Sequence, residues 1–275
     1  HLSLFLPFIK NDPTDSFKMP VITLTTDWGL RDYFAGAMKG DILSACPGAN
    51  IIDISHLVNP FDLVHGAYIF RNAWHRFPEG TVHVVGLSAA LTGAPSLIAI
   101  RHKGHFFLGA NDGFFSLVFD ETPESMYYVL DARGGKVIPE TRALGDSAAF
   151  LAKGGKIKDM GSVLDDYLVK STLQPVTEEK IIRGTIIYVD AFGNLITNIH
   201  TDLFDRIAKD REFDIVLRSK EYMINEISDH YFQVNRGNLL ARFNESGFLE
   251  IAISQGNASA LLGLKYSDTV RVEFK

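Results

Sequence analysis

The stretch Val21-Ile-Thr-Leu-Thr-Thr-Asp27-Trp28-Gly29, running on into Leu30-Arg-Asp-Tyr-Phe-Ala-Gly36-Ala-Met-Lys-Gly40-Asp-Ile-Leu43, decides the fold. A β-rich apolar run ends in a carboxylate and a glycine, and a helix-like segment follows at once. Asp27 therefore stands at the C-terminal tip of a strand. In open α/β sheets ligands bind at that rim. An ionised carboxylate only accepts hydrogen bonds, so Asp27 can take both hydroxyls of a ribose. The alternative is that it caps the helix that follows.

Working outward, the same alternation recurs. Residues 33–45 place Phe34, Ala37, Met38, Ile42 and Ala45 close to a helical period, and Cys46-Pro47-Gly48 ends the segment. Residues 51–54 read as a short buried strand. Residues 61–77 read as a second helix with Leu63, Ala67, Phe70, Ala73 and Trp74 on one face, closed by Pro78-Glu79-Gly80. Strands follow at 81–87, 96–101, 105–108 and 127–130, then a Gly134-Gly135 turn and a helix around 147–152. Strands spaced by helical segments predict an α/β domain over 19–166 with a mainly parallel sheet covered on both faces. Residues 167–183, with Pro175 and Glu178-Glu179-Lys180, read as a linker. Beyond Gly184 nearly everything reads as strand and turn, at 185–189, 195–199, 213–217, 248–253 and 269–274. That spacing predicts a smaller all-β, barrel-like domain over 184–275.

The chain has 275 residues, enough for two domains, and a formal net charge of −6 with no basic cluster, which excludes a nucleic-acid surface. Its single cysteine, Cys46, excludes an intrachain disulfide and a multi-cysteine metal site and favours the cytoplasm; it reads as a small buried residue. No apolar run reaches the ~20 residues of a membrane helix. Residues 1–18 precede the plausible start Met19 and read as an extension, a processed end or an added remnant; Leu2 to Phe8 lacks the features of a secretory signal.

The chemical motifs are sparse. Gly-x-Ser-x-Gly, Gly-x-Gly-x-x-Gly and a phosphate-cradling Gly-Lys-Ser/Thr loop are all absent from the sequence. His102 and His105 are closely spaced but lack nearby metal-ligating partners, and read as turn residues between two strands. Gly36 and Gly40 read as close helix packing. Ala110-Asn111-Asp112-Gly113-Phe114-Phe115 follows a strand and reads as a turn. Val189-Asp190-Ala191-Phe192-Gly193-Asn194 is either a hairpin loop using Gly193 for positive φ or a ligand loop. In the second case Asp190 can hold an ammonium, Asn194 an adenine edge, and Phe192 can offer a stacking surface.

Taken in order, Thr23-Leu-Thr-Thr-Asp27-Trp-Gly29, Ala37-Met-Lys-Gly40, Ile52-Asp-Ile-Ser-His56, Pro60-Phe61-Asp62, Phe77-Pro-x-Gly-Thr-Val-His83, Asp190-x-Phe-Gly-Asn194 and Leu249-Glu-Ile-Ala252 through Gly256-Asn257-Ala258 resemble the S-adenosylmethionine hydroxide adenosyltransferases. These are the SAM hydrolases, relatives of the fluorinase and chlorinase enzymes. The resemblance runs from Met19 to Lys275. It implies a homotrimer whose sites lie between one subunit's N-terminal domain and its neighbour's C-terminal domain. It also implies S-adenosylmethionine or adenosine as ligand; no separate cofactor is expected, and the residues offer no metal site. Asp27 would hold the ribose, with Trp28 beside it; Phe61 would form an aromatic wall, Asn194 would read adenine, and Asp190 would take the methionine ammonium.

The departures are as specific as the matches. Where the hydrolases carry Asp-Pro-Gly-Val-Gly-Thr-x-Arg, this chain has Ser88-Ala-Ala-Leu-Thr-Gly-Ala-Pro95, so the Asp becomes Ser88 and the Arg becomes Pro95. The family's Phe-His-Gly-Arg-Asp segment is shortened to Pro139-Glu-Thr-Arg-Ala-Leu-Gly145-Asp146, and no histidine lies between His105 and His200. The water-activating set is therefore not retained. Arg142 and Asp146 are the candidate replacements; His83 is a weaker one, since a strand histidine is more often a core residue. Glu245 stands where a serine helps hold the methionine carboxylate, next to Ser246, and would repel that group. The sequence predicts an adenosyl-binding family member with hydrolysis to adenosine and methionine impaired or lost; the alternatives are a catalytically silent nucleoside-binding protein or a trimeric scaffold.

Overall fold

Six strands of the first unit form one sheet in the computed structural model, which describes residues 19–87, 96–129, 140–218 and 222–275. In chain order the elements are β1 (Val21–Thr26), α1 (Phe34–Ala45), β2 (Asn50–Ser55), α2 (Leu63–Arg71), β3 (Val82–Gly86), β4 (Leu97–His102), β5 (His105–Ala110), α3 (Phe114–Val118), β6 (Ser125–Tyr128) and α4 (Glu140–Ala152). There follow β7 (Val176–Glu178), β8 (Ile181–Val189), β9 (Leu195–His200), α5 (Thr201–Ala208), β10 (Phe213–Val216), β11 (Met223–Ile224), β12 (Leu239–Phe243), β13 (Phe248–Ile253), α6 (Ala258–Leu262) and β14 (Thr269–Phe274). The chain divides into two compact units. One comprises the chain through Phe61, Ala73–Asp112 and Glu121–Tyr167; the other comprises Asp62–Asn72, Gly113–Asp120 and Leu168–Lys275.

The first unit is α/β. Its strand order is β2-β1-β3-β5-β4-β6, parallel from β2 to β5, with β4 antiparallel to both β5 and β6. β1 and β3 are buried along almost their whole length, which is why their sequences read as continuous apolar and β-branched runs. Ile22, Leu24, Val82, Val84 and Leu108 point to one face, where Met38 and Ile42 of α1 and Leu144, Ala148 and Leu151 of α4 cover them. Their alternates Thr23, His83 and Phe107 occupy the other face with Trp74, whose ring meets His105 at 5.4 Å and Phe107 at 5.3 Å. His102 and His105 flank a two-residue turn at Lys103 and Gly104, both at positive φ, as their reading as hairpin residues predicts.

Two helices differ from their expected extents. The 61–77 segment is α2 followed by a single 3-10 turn at Trp74–Arg76. Phe61 lies outside the helix, Asp62 caps it by accepting from the His65 N–H at 3.0 Å, and the Asn72 amide donates to the Tyr68 carbonyl at 2.7 Å where the ladder ends. α4 begins at Glu140 rather than near Ser147, and its Gly145 faces Met38, Asp41 and Ile42 of α1. The Gly134-Gly135 turn lies outside the described residues.

The second unit carries an antiparallel sheet ordered β11-β10-β14-β8-β9-β13-β12, with β7 added on β8. A bridge from Ile227 to Ala241 brings the chain just past β11 onto β12, so the sheet is nearly closed and barrel-like. Inside lie Ile182, Ile186, Leu195, Ile215, Ile251 and Val272. The short helices α5 and α6 and the strand β12 have no counterpart in the sequence reading. Helices of five and eight residues present too few turns for a period to show. Among the described residues no helix is long and apolar enough to cross a membrane.

Candidate functional site

Asp27 follows the last residue of β1, at the C-terminal rim of the parallel sheet. It is not the N-cap of α1: that position is Tyr33, whose side chain makes no capping bond. Instead, one oxygen of its carboxylate accepts the Phe61 N–H at 3.1 Å. Phe61 itself has φ of 64°, a left-handed conformation that costs a β-carbon residue about 1–3 kcal/mol, and its ring is 59% exposed. Phe61 is thus held in strained backbone, its N–H on the Asp27 carboxylate and its side chain largely exposed. The Trp28 indole packs against the end of β3, where only glycine fits: a Cβ at Gly86 would come within 2.5 Å of it. Leu30, Tyr33 and Leu57 complete an exposed apolar rim.

Two segments make this rim, residues 26–29 at the end of β1 and 56–61 after β2, and backbone bonds join them. The Gly29 N–H donates to the His56 carbonyl at 2.8 Å, and the Val58 N–H to the Thr26 carbonyl at 3.4 Å. Side chains reinforce the joint. Thr26 Oγ1 meets His56 Nδ1 at 2.7 Å, His56 Nε2 lies 3.1 Å from Asp53, and Lys39 Nζ donates to Asp53 at 2.6 Å. Burial pushes the Asp53 carboxyl up, but the Lys39 bond and His56 outweigh it and hold it below the usual range.

In the second unit the β8–β9 loop holds Asp190, Phe192 and Asn194. Asp190 Oδ1 accepts the N–H groups of Phe192 and Asn194 at 2.9 and 2.8 Å, while Oδ2 accepts from the Asn194 amide at 2.9 Å. Asp190 therefore shapes the hairpin and orients Asn194 at the same time. Phe192 is 76% exposed at the tip. Gly193 has φ of 82°, and a Cβ there would lie 2.2 Å from Asn257, the residue that caps α6. In the strand before the loop Tyr188 stacks on Tyr68 at 4.5 Å and meets the His65 ring at a tilt at 4.9 Å. Burial, reinforced by the Glu250 carboxylate, pushes the Tyr68 phenol up to about 12. Glu250 is raised in turn, chiefly by burial, and accepts from the Tyr231 hydroxyl at 2.6 Å.

Glu245 is exposed in the β12–β13 turn. Ser246 beside it donates its N–H to Asn244 at 3.0 Å and its hydroxyl to Asn72. A cavity of about 440 Å³ also opens in this unit, lined by Tyr68, Arg71, Asp120, Asn198, His200 and Phe248 among others. None of the ligand residues named from the sequence lines it.

Ser88 and Pro95 lie outside the described residues. Arg142 and Asp146 sit one turn apart on α4 and face each other at 3.9 Å as a surface pair, the arginine half exposed. His83 is far from the rim: it pairs in register with Thr23, four residues before Asp27, which the strand rise makes ~13 Å. Thr23 Oγ1 and His105 Nδ1 lie 2.7 and 3.2 Å from its two ring nitrogens. Burial, and then His105, push its pKa down to about 3, so it is a neutral core residue. Among the described residues no three His, Cys, Asp or Glu side chains converge as metal ligands. The sequence reading did not single out Asp53, His56 or Lys39 as a group; the only signal was their presence in quoted motifs.

Residues 22–161 match the SAM hydroxide adenosyltransferase N-terminal domain, and residues 184–271 match the corresponding C-terminal domain. The (R)-S-adenosyl-L-methionine hydrolase of Methanocaldococcus jannaschii is 30% identical over 268 residues, covering 92% of this chain and 96% of its own. A fluorinase of an Actinoplanes species is 28% identical over 220 residues, covering 67% and 73%. In three dimensions an uncharacterized conserved protein from Thermotoga maritima superposes with a TM-score of 0.81 at 28% identity, covering 92% of this chain and 99% of that one. Both domain matches, in order and over nearly the whole described chain, place this protein in the SAM hydroxide adenosyltransferase family.

Proposed function

We propose that this chain binds an adenosyl ligand, S-adenosylmethionine or adenosine, at an interface between copies of itself, and that hydrolysis to adenosine and methionine is slow or lost. The observation that carries the binding half is the Asp27 carboxylate at the strand tip, one oxygen fixed by the Phe61 N–H beside an exposed aromatic ring. A prepaid, oriented acceptor of this kind suits a ribose diol. The relatives named as (R)-S-adenosyl-L-methionine hydrolases make that sulfonium the first ligand to try.

The catalytic half rests on what the sequence replaces. Attack of water at the 5′ carbon of a sulfonium needs an oriented water and a group to take or offset its proton. Ser88 is not a base at neutral pH without a partner, and Pro95 has neither charge nor donor. Residues acting as one unit lose nearly everything when one is lost, so the surviving groups earn no partial rate. General acid-base assistance is worth ~10²–10⁴ in rate. The expected outcome is therefore adenosine and methionine production at least about 100-fold slower than by a relative that keeps the set, followed by chromatography on both proteins in parallel. Equal rates would return the chain to the hydrolases and make Arg142, Asp146 and Ser88 the first positions to substitute.

A catalytically silent nucleoside-binding protein is the second reading, favoured by Glu245. An exposed carboxylate where the methionine carboxylate would sit opposes that ligand but not adenosine. Calorimetry with both ligands separates the two: preference for adenosine supports the silent binder.

A further inference from the structure

We propose that His56, held between Asp53 and Thr26, is a positioning residue for the Asp27 carboxylate and thereby sets how strongly the site favours a ligand carrying vicinal hydroxyls. The proposal rests on the assignment of Asp27 to a ribose. Its geometric basis is independent of that assignment.

β1 and β2 run in regular parallel register from Val21 opposite Asn50 to Leu24 opposite Asp53, and then the register slips, so that Thr25 lies opposite Ser55. Such an irregularity re-aims the side chains on either side of it. Here it brings Asp53 and His56, three residues apart, within 3.1 Å of each other. The approach is bent away from the ring N–H axis, so the contact is mainly electrostatic; it nonetheless favours the proton on Nε2, facing the carboxylate. Nδ1 is then an acceptor, and the Thr26 hydroxyl donates to it at 2.7 Å. With its proton so directed, Thr26 Oγ1 turns a lone pair to the Trp28 N–H, which donates to it at 3.4 Å. Every donor in the row points the same way, from Trp28 through Thr26 and His56 to Asp53, and Lys39 anchors the far end at 2.6 Å.

Asp27 is the residue between the two that this row grips. Thr26 is fully buried and His56 is 3% exposed, so neither meets a ligand, and the row acts through the backbone of residues 26–28. Such supporting contacts decide whether a binding group is held within a fraction of an ångström of its productive place. Removing Nδ1 leaves the Thr26 hydroxyl proton without an acceptor in a closed space, and the hydroxyl must rotate away from Trp28 to satisfy it.

The experiment measures binding of adenosine and 2′,3′-dideoxyadenosine by calorimetry to the full chain and to Asp27→Ala, His56→Ala, His56→Asn and Thr26→Val, with thermal melts of each. Wild type is expected to prefer adenosine, and Asp27→Ala to abolish the preference. His56→Ala and Thr26→Val are expected to reduce the preference on the order of tenfold, the effect of a modest misplacement. His56→Asn places an amide oxygen near the position of Nδ1 and is expected to restore most of it. A purely structural role would weaken both nucleosides alike and leave their ratio unchanged. If His56→Ala and Thr26→Val keep the wild-type ratio while Asp27→Ala loses it, the positioning role is overturned and the ribose assignment stands. If wild type shows no preference, or Asp27→Ala keeps it, both are overturned. Should His56→Ala fail to fold, the isosteric Thr26→Val decides alone, since it deletes the same bond with little change of shape.

Discussion

Asp27 shows how a single residue carries two readings until its neighbours are placed. From sequence it is either a helix cap or a ligand acceptor. The observed cap at Tyr33 and the bond from Phe61 remove the first. If its carboxylate takes a ribose diol, Asp27→Ala should weaken adenosine by about 1.5–3 kcal/mol, the range for hydrogen bonds to a charged group. Calorimetry checks this, and unchanged affinity would remove Asp27 from the site. Gly193 makes a residue-scale prediction that needs no ligand. Its φ of 82° and the 2.2 Å approach of Asn257 leave no room for a β-carbon. Gly193→Ala should therefore lower stability by more than ~1 kcal/mol, read as a shift in the urea midpoint. Both alternatives for the 189–194 loop remain compatible, since a hairpin that needs glycine can also present Asn194.

At the scale of elements, the face of the first sheet that bears Thr23, His83 and Phe107 sets a pH limit on stability. His83 in the folded chain is pushed down to about 3 by burial and by His105, against about 6.5 when unfolded. The unfolded chain therefore takes up the proton more readily. Stability from this group is complete above about pH 6.5 and is lost as pH falls toward 3. The loss should be on the order of 2 kcal/mol by pH 5. His105 is shifted the same way, again first by burial. Urea midpoints at pH 7 and pH 5 should differ less in His83→Gln than in wild type; an equal difference would assign the acid sensitivity elsewhere. The strand that carries His83 was legible because Val82, Val84 and Val85 surround it. Its pairing with Thr23 and His105 was not, because those residues lie 60 and 22 positions away. The second helix ends at Arg71, where the Asn72 amide bonds to the Tyr68 carbonyl, a side-chain contact that periodicity does not register.

At the scale of the whole molecule, each unit bears part of the proposed site: Asp27, Trp28 and the exposed Phe61 on the first, and the exposed Phe192 with the buried Asn194 on the second. Joining the first unit of one copy to the second unit of the next, head to tail, would complete such a site and close into a ring. Light scattering is expected to give the mass of a trimer at micromolar concentration, and a monomer would overturn the proposal. Exposed Leu30, Tyr33, Leu57 and Phe61 around Asp27 supply apolar surface for such a contact. The sequence by itself determined the division into an α/β part and a β-rich part, the strand tip that carries Asp27, the hairpin that carries Asn194, and the family. These depend on short-range patterns: apolar periodicity, turn residues and motif order. Only the tertiary structure decided that β4 turns antiparallel, that Phe61 lies outside the helix in strained backbone, and that α2 and α3 cluster with the β-rich unit. It alone assembled Lys39, Asp53, His56 and Thr26, because that row depends on the register of two parallel strands and one irregularity between them, and register is a property of paired chains that neither strand carries alone.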